Sequence, residues 1–293
     1  EDLNFPSLGE YVQKNAFEVA QNRLSEEGWN LTNTAELDLI EKIKSKGVHL
    51  EQYVEGKIFR GVLTGYNEAF VIDDATRQRL IAEDPKSAEI IKPFLAGRDI
   101  KRYALLECDK YLIFTRRGID IKQYPAIEKH LLQYKEQLMP KPKNWKGADW
   151  PGRKPGSYKW YEIQDSIDYY GEFEKEKIIY PNICKRPEFT FDDNGLYTNQ
   201  KCFIMSINDK YFLGVLNSSL TFFLFRHILP KLRGDFYEPS YVYFKTFPIR
   251  IITENKDDVT ARDNIIASVT SMLEAQRQLQ SVKSDADKTV LQQ

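Results

Sequence analysis

The alternation of apolar and polar positions predicts a chain built from many short strands and helices. From Lys57 onward, six runs carry strand-forming residues between turn-forming ones: IFRGVLTG, EAFVID, KYLIFT, KIIYPNI, EFTFD and KCFIMSI. The first two flank Gly65-Tyr66-Asn67, so they are predicted to pair as a hairpin. Asp193-Asn194-Gly195 predicts a turn between two later strands.

Segments with helical spacing alternate with these strands. They are ATRQRLIAED, capped by Asp73 or Asp74, then KSAEIIKPFL, YPAIEKHLLQYKEQL and FLGVLNSSLTFFLFRHIL. An earlier helix is expected between an Asn33 cap and Gly47. Past Pro248, an apolar stripe from Ile265 to Val282 predicts an amphipathic helix that packs back on the domain or continues as an arm.

Together these patterns predict an α+β fold, a mixed-sheet domain with a helical N-terminal lead and a C-terminal amphipathic helix. The expected division is a helical lead or linker over 1–50, the main domain over 51–250 and a helical segment over 251–293. Because residue 1 is not an initiator methionine, we expect the chain to be a piece of a longer protein.

Composition narrows the functional class. The 293 residues are 42% apolar and 29% charged, as in soluble globular proteins, and the most apolar window (Tyr211–Leu229) contains polar interruptions that argue against a membrane span. Three cysteines and three widely separated histidines suggest no disulfide framework and no metal site, so a cytoplasmic setting is expected. A net charge of −1 counts against a dedicated nucleic-acid binder, which is more often strongly basic.

One basic loop stands out from this near-neutral background. The stretch KPKNWKGADWPGRKPGSYKW (141–160) holds three of the four tryptophans, six basic residues and a single acid. Its prolines and glycines exclude regular structure, so its side chains are presented from a loop. A local patch of this kind can attract an anionic partner through its own field.

Catalytic signatures are absent from the sequence. There is no phosphate-binding glycine loop, nucleophile elbow or zinc-binding helix motif, so no catalytic residue is expected. Asp99-Ile100-Lys101 and Asp120-Ile121-Lys122 have a spacing found in metal-dependent nucleases, but such triplets arise easily by chance in a charged chain. A nuclease therefore remains an alternative function.

Five separated blocks carry a resemblance to a known family. They are GVLTGYNEAFVID, EDPKSAEIIKPFLAGRDIKRY, YLIFTRRGIDIKQYPAIEKHL, GRKPGSYKWYEIQD, and the segment from KIIYPNI to LGVLNSSLTFFLF. In this order they resemble the TaqI-like C-terminal specificity domain of adenine-specific DNA methyltransferases, including the fused type IIG restriction–modification enzymes. The resemblance runs from about Trp29 to Pro248.

The resemblance implies a target recognition domain for double-stranded DNA. In that family an upstream methyltransferase domain of the same polypeptide binds S-adenosylmethionine and modifies adenine. Its asparagine-proline-proline-tyrosine type of motif is missing here, so no cofactor is expected in this chain. Mg²⁺ is expected only if the parent protein also cleaves DNA.

The candidate DNA contacts lie mainly in the basic loop. They are Arg153, Lys154, Tyr158, Lys159 and Trp160, with Lys143 and Lys146 as phosphate partners. Three further basic pairs sit at the ends of predicted elements: Arg116 with Arg117, Lys185 with Arg186, and Lys231 with Arg233. The alternatives are solvated charge for the pairs, and either packing anchors or a carbohydrate-type stacking platform for Trp145, Trp150 and Trp160.

Overall fold

The computed structural model describes residues 7–19, 21, 34–104 and 106–281. The helices are α1 (Leu8–Asn15), α2 (Thr34–Lys46), α3 (Leu50–Tyr53), α4 (Asn67–Phe70), α5 (Asp74–Glu83), α6 (Pro125–Leu132), α7 (Lys135–Leu138), α8 (Lys210–Leu216), α9 (Ser219–Ile228), α10 (Tyr241–Phe244) and α11 (Lys256–Ser281). The strands are β1 (Gly47–His49), β2 (Ile58–Arg60), β3 (Val71–Asp73), β4 (Ile91–Leu95), β5 (Lys110–Ile113), β6 (Lys177–Pro181), β7 (Thr190–Asp192), β8 (Tyr197–Thr198), β9 (Cys202–Met205), β10 (Lys231–Leu232), β11 (Phe236–Tyr237) and β12 (Pro248–Arg250).

Two four-stranded sheets form the framework of the domain. One has the order β2-β9-β6-β7 with antiparallel pairs throughout, and the other has the order β3-β5-β4-β8 with β4 and β8 parallel. Two smaller pairings join β1 to β12 and β10 to β11. The mixture of strand directions and helices confirms the predicted α+β fold.

The sheet that contains β6 is buried on both faces. Ile178 and Met205 belong to one hydrophobic cluster, whereas their neighbours Ile179 and Ile204 belong to the other. Adjacent residues of a strand point to opposite faces, so a strand covered on both sides is buried at every position and mostly apolar. That explains why the run KIIYPNI shows no polar alternation. The exception in β6 is Lys177, whose buried ammonium pairs with the buried Asp192 carboxylate.

The hairpin expected around Gly65 is wrong. β2 pairs with β9 and β3 pairs with β5, so the two strands lie in different sheets. The chain leaves the first sheet at Gly61, where a β-carbon would lie 2.0 Å from the carbonyl oxygen of Asn199. Gly65 then turns the chain with a φ of +84° into α4, which separates the two strands.

Three helix predictions also need correction. Within KSAEIIKPFL the first four residues belong to a 3₁₀ turn (Pro85–Glu89), and the last five form β4. The predicted helix after Tyr124 is interrupted between α6 and α7. The third, over FLGVLNSSLTFFLFRHIL, is split into α8 and α9 because Ser218 has an extended backbone and its hydroxyl caps α9 by accepting from the Thr221 N–H. The buried Asn217 amide at the break both accepts from and donates to the Phe189 backbone.

Two further predictions agree only in part. The run EAFVID is a strand only from Val71 to Asp73, since its first residues belong to α4. The turn at Asp193-Asn194-Gly195 forms, but β7 pairs with β6 and β8 pairs with β4, so the strands it joins are not paired with each other. α5 begins after Asp73, whose side chain accepts from the Thr76 backbone N–H, and Gly195 takes a φ of +68° in the predicted turn. α2 ends before Gly47, while its expected cap Asn33 lies outside the described residues.

The C-terminal helix packs back on the domain, the first of its two predicted alternatives. Val269 is buried, and a β-carbon on Gly214 of α8 would lie 2.5 Å from Ile265 Cγ2, so the two helices approach closely there. Val282, the last residue of the predicted stripe, lies outside the described residues. Among the helices that the structure describes, none is long and apolar enough to cross a membrane.

Candidate nucleic-acid interface

A cleft of about 1110 Å³ opens where several strands end. Its walls are the segment after β4 (96–101), the segment after β6 (182–188), the β8–β9 connection and the residues just before β5. Irregular segments at strand ends, held by a rigid framework, are where binding surfaces are commonly built.

Backbone hydrogen bonds join the walls of the cleft. The Asn182 N–H donates to the Lys201 carbonyl over 2.7 Å, and the Asn199 N–H donates to the Leu95 carbonyl over 3.2 Å. Gly97 allows the segment after β4 to approach the β8–β9 connection, because a β-carbon there would lie 3.0 Å from the Lys201 carbonyl oxygen. The side chains in these walls are therefore presented from a fixed backbone.

Charge in the cleft is mainly basic. Six cations line it, namely Arg98, Lys101, Lys110, Lys185, Arg186 and Lys201, against the four acids Asp99, Glu107, Asp109 and Glu188. Lys101 pairs with Glu188 at 3.4 Å, whereas Lys185, Arg186 and Lys201 are exposed and form no ion pair within the described part of the chain. These last three cations remain available to an anionic ligand.

The β10–β11 hairpin extends the basic surface. The backbones of Cys184 and Tyr237 exchange two hydrogen bonds, of 3.1 and 2.8 Å, and the Lys185 ammonium lies 5.1 Å from the centre of the Phe236 ring. The hairpin turn, shaped by left-handed Gly234 and Asp235, presents Arg233 to solvent, while Lys231 pairs with Asp235 at 3.0 Å. The structure thus brings together two basic pairs that are more than forty residues apart in the chain.

Arg153 occupies a different environment from the one predicted. Its side chain is 3% exposed, and its five guanidinium N–H groups donate to the carbonyls of Leu138, Thr64, Glu162, Lys159 and Trp160. Burial lowers the pKa of this guanidinium to about 10. The expectation that Arg153 contacts DNA is therefore corrected, because every donor it has is already used inside the protein.

Tyr158 and Arg117 pack beside the Arg153 guanidinium. Tyr158 is buried, its hydroxyl donates to the Lys154 carbonyl, and its ring lies between the guanidinium groups of Arg153 (4.3 Å) and Arg117 (5.1 Å). Arg117 donates to the carbonyls of Ile163 and Gln164 and lies 3.6 Å from the Glu162 carboxylate. The DNA-contact expectation is corrected for Tyr158, which is buried, whereas that for Arg117, whose side chain is 27% exposed, stays a prediction.

The tryptophans of the loop have structural contacts. The Trp150 indole donates to the Met139 carbonyl over 3.1 Å, and Trp145 packs edge-on against it at 5.0 Å. Trp160 packs against the first hydrophobic cluster. These contacts favour the interpretation of Trp150 and Trp160 as anchors of the loop.

The other predicted contacts of this region are exposed. They are Lys143, Lys146, Lys154, Lys159 and Arg116, and the last lies 4.9 Å above the Tyr170 ring. Their role in binding stays a prediction. The turn from Thr64 to Asn67 joins this region to the cleft, because the Thr64 carbonyl holds Arg153 while Asn67 lines the cleft wall.

Residues 92–249 match the family described as the TaqI-like C-terminal specificity domain. The chain belongs to this family. The match confirms the resemblance carried by the sequence blocks, and it includes the β10–β11 hairpin and most of the cleft lining.

Two solved structures are similar to this specificity domain. The type IIL restriction–modification enzyme MmeI, solved in complex with DNA, matches with a TM-score of 0.53 and 16% identity over 76% of this chain and 28% of its own. The type IIG restriction endonuclease BpuSI matches with a TM-score of 0.46 and 14% identity over 83% of this chain and 29% of its own. The specificity domain thus spans less than a third of either protein, and the MmeI match shows a shared fold.

Several cleft residues of the specificity domain could not be chosen from the sequence. Arg98, Lys110, Lys201, Asn182 and Asn199 are isolated polar residues in the sequence, and only their positions at converging strand ends make them a set. The useful signal was that Lys110, Lys201, Asn182 and Asn199 lie at or beside the ends of predicted strands. Arg98 carried no such signal, because the segment before it was predicted as a helix and forms β4 instead. Within the described residues, no group of three or more histidine, cysteine or acidic side chains could hold a metal ion.

Proposed function

We propose that this specificity domain recognises a particular sequence in double-stranded DNA, and that the duplex lies across the cleft. The observation that carries the proposal is the exposed basic edge formed by Lys185, Arg186 and Arg233 beside the cleft, in a chain of the specificity family. The similarity of fold to MmeI, an enzyme solved in complex with DNA, supports it.

The cleft offers the two kinds of contact that sequence recognition requires. Exposed lysine and arginine side chains at its edge bind phosphates, which supplies affinity and register without sequence information. Arg98 lies in its wall with an exposed side chain, and arginine pairs with guanine edges. The fixed backbone of the walls makes such discrimination geometrically feasible.

The proposal extends to the longer protein. An upstream methyltransferase domain of the same polypeptide binds S-adenosylmethionine and methylates N6 of an adenine within the recognised sequence. The adenine leaves the base stack to reach that domain, as bases do in DNA methyltransferases. Cleavage, if the longer protein performs it, requires Mg²⁺ and residues of another domain.

The test replaces Lys185 and Arg186 together by alanine. We expect weaker binding to all duplexes alike, because two phosphate contacts are lost while base contacts remain. The slope of log K against log salt concentration should decrease by about 1.8, at about 0.9 for each phosphate contact. Fluorescence anisotropy of labelled duplexes, recorded at salt concentrations from about 50 to about 200 mM, measures this slope.

A matched double variant, Lys42→Ala with Lys44→Ala, removes two exposed lysines of α2 that lie outside the cleft lining. Its salt slope should equal that of the unmodified chain. An equal loss in both double variants would contradict the cleft as the binding surface. Binding that does not respond to salt would contradict DNA recognition itself and favour a carbohydrate-type module.

A further inference from the structure

One apolar side chain is exposed in the basic wall of the cleft. Ile183 lines the cleft and is 43% exposed, directly after Asn182 and two residues before Lys185. An exposed aliphatic residue is ordinary on a protein surface. Ile183, however, lies among basic residues that line the proposed DNA-binding cleft, so its apolar side chain is placed where it can contact the duplex.

The backbone on both sides of Ile183 is fixed. Asn182 donates to the Lys201 carbonyl over 2.7 Å, and Cys184 exchanges two hydrogen bonds with Tyr237. Three hydrogen bonds, one to the β8–β9 connection and two to β11, therefore hold a segment of three residues. A side chain presented in this way keeps its position when a ligand binds, as a residue that distinguishes similar ligands must.

The chemistry of DNA limits what Ile183 can contact. Base edges in the major groove present hydrogen-bond donors and acceptors, and the one apolar group among them is the C5-methyl group of thymine. A side chain that separates stacked bases must project far from the protein surface. More than half of the Ile183 side chain is covered by the protein, so it is suited to contact at the surface of a groove instead.

We propose that Ile183 contacts the C5-methyl group of one thymine in the recognised sequence and thereby helps to determine specificity. This proposal rests on the proposed function of DNA recognition. This part of the cleft would then contact an A·T base pair from the major groove.

The experiment first selects preferred duplexes from a randomised library with the 293-residue chain. Each thymine of the selected sequence is then replaced by deoxyuridine, which removes the methyl group and no hydrogen-bonding group. At one position we expect binding to weaken about fourfold, the factor that corresponds to about 0.8 kcal/mol for one buried methyl group.

Variants of Ile183 test whether this loss of affinity is due to the Ile183 side chain. Ile183→Ala should bring the ratio of thymine to deoxyuridine affinity at that position to about one, and Ile183→Val should leave a ratio between the two values. Ile251→Ala is the matched control, because Ile251 is 47% exposed and does not line the cleft. This control should retain the full ratio.

Three results would overturn the proposal while leaving DNA recognition intact. They are equal binding of thymine and deoxyuridine at every position of the selected sequence, a selected sequence composed only of G·C pairs, and an unchanged ratio in Ile183→Ala. If the chain selected no sequence at all, the proposed function would fail, and the assignment of Ile183 with it.

Discussion

Replacing Arg153 by alanine is expected to lower the free energy of unfolding by about 3–5 kcal/mol, because several buried carbonyls lose their donor at once and each unsatisfied group costs about 1–3 kcal/mol. The guanidinium donates to five carbonyls that come from three parts of the chain. Without it, these carbonyls lose their partners in the interior, and each buried unpaired acceptor carries a desolvation cost. The expected consequence is loss of the packing between the basic loop and the Thr64–Asn67 turn.

Thermal unfolding measures this effect. In domains of roughly this size, 1 kcal/mol corresponds to about 2–4 °C, so a decrease of at least about 6 °C is expected. Lys154→Ala is the control, because this neighbouring lysine is exposed and its replacement should change stability by no more than about 0.5 kcal/mol. Arg153→Lys should be intermediate, since a lysine keeps the charge but cannot span the same carbonyls.

The opposite result would reinstate Arg153 as a DNA contact. If Arg153→Ala unfolded at the same temperature as the unmodified chain but lost discrimination at one base pair, the buried position would not describe the DNA-bound protein. Arginines that pair with guanine contribute about 1–3 kcal/mol to discrimination, which is measurable in a binding assay.

Arg153 also shows what the sequence could and could not predict. Proline and glycine on both sides of it correctly predicted a loop, because their effects on the backbone are local. The partners of the guanidinium include Thr64 and Leu138, which are 89 and 15 residues away in the chain. The residues adjacent to Arg153 in the sequence do not distinguish an exposed arginine from one that donates to five carbonyls. The burial of Arg153 could therefore not be predicted.

The same distinction between local and long-range information applies to the fold and the cleft. The strand positions of β5, β6 and β9 were predicted, since each depends on its own residues, but the pairing of β2 with β9 instead of β3 was not. Lys185, Arg186, Lys231 and Arg233 were correctly placed at the ends of elements. That the two pairs share one edge depends on the bridge between Cys184 and Tyr237, for which the sequence carries no sign.

Replacing Lys177 by methionine is expected to cost about 3–5 kcal/mol as well, because it leaves a buried carboxylate without its cation. Lys177 and Asp192 are directly opposite each other across β6 and β7, both are buried, and the ammonium also donates to the Phe173 carbonyl. Burial lowers the pKa of Lys177, while the Asp192 charge opposes that shift. The pair therefore stabilises the fold only as long as both charges are present.

Chemical denaturation of a double-variant series tests this argument. Lys177→Met combined with Asp192→Asn should recover part of the loss, because no charge is then left buried. The recovery should be incomplete, because the backbone N–H groups of Asn194 and Leu196 donate to different oxygens of the carboxylate and the single amide oxygen can keep only one of them. Lys175→Met is the control, since this exposed lysine makes a surface ion pair with Glu172 that contributes at most about 1 kcal/mol. Equal losses for Lys175→Met and Lys177→Met would show that the buried pair contributes no more than the exposed one. A combined variant less stable than Lys177→Met alone would show that the Asp192 carboxylate is held by its backbone donors and not by Lys177.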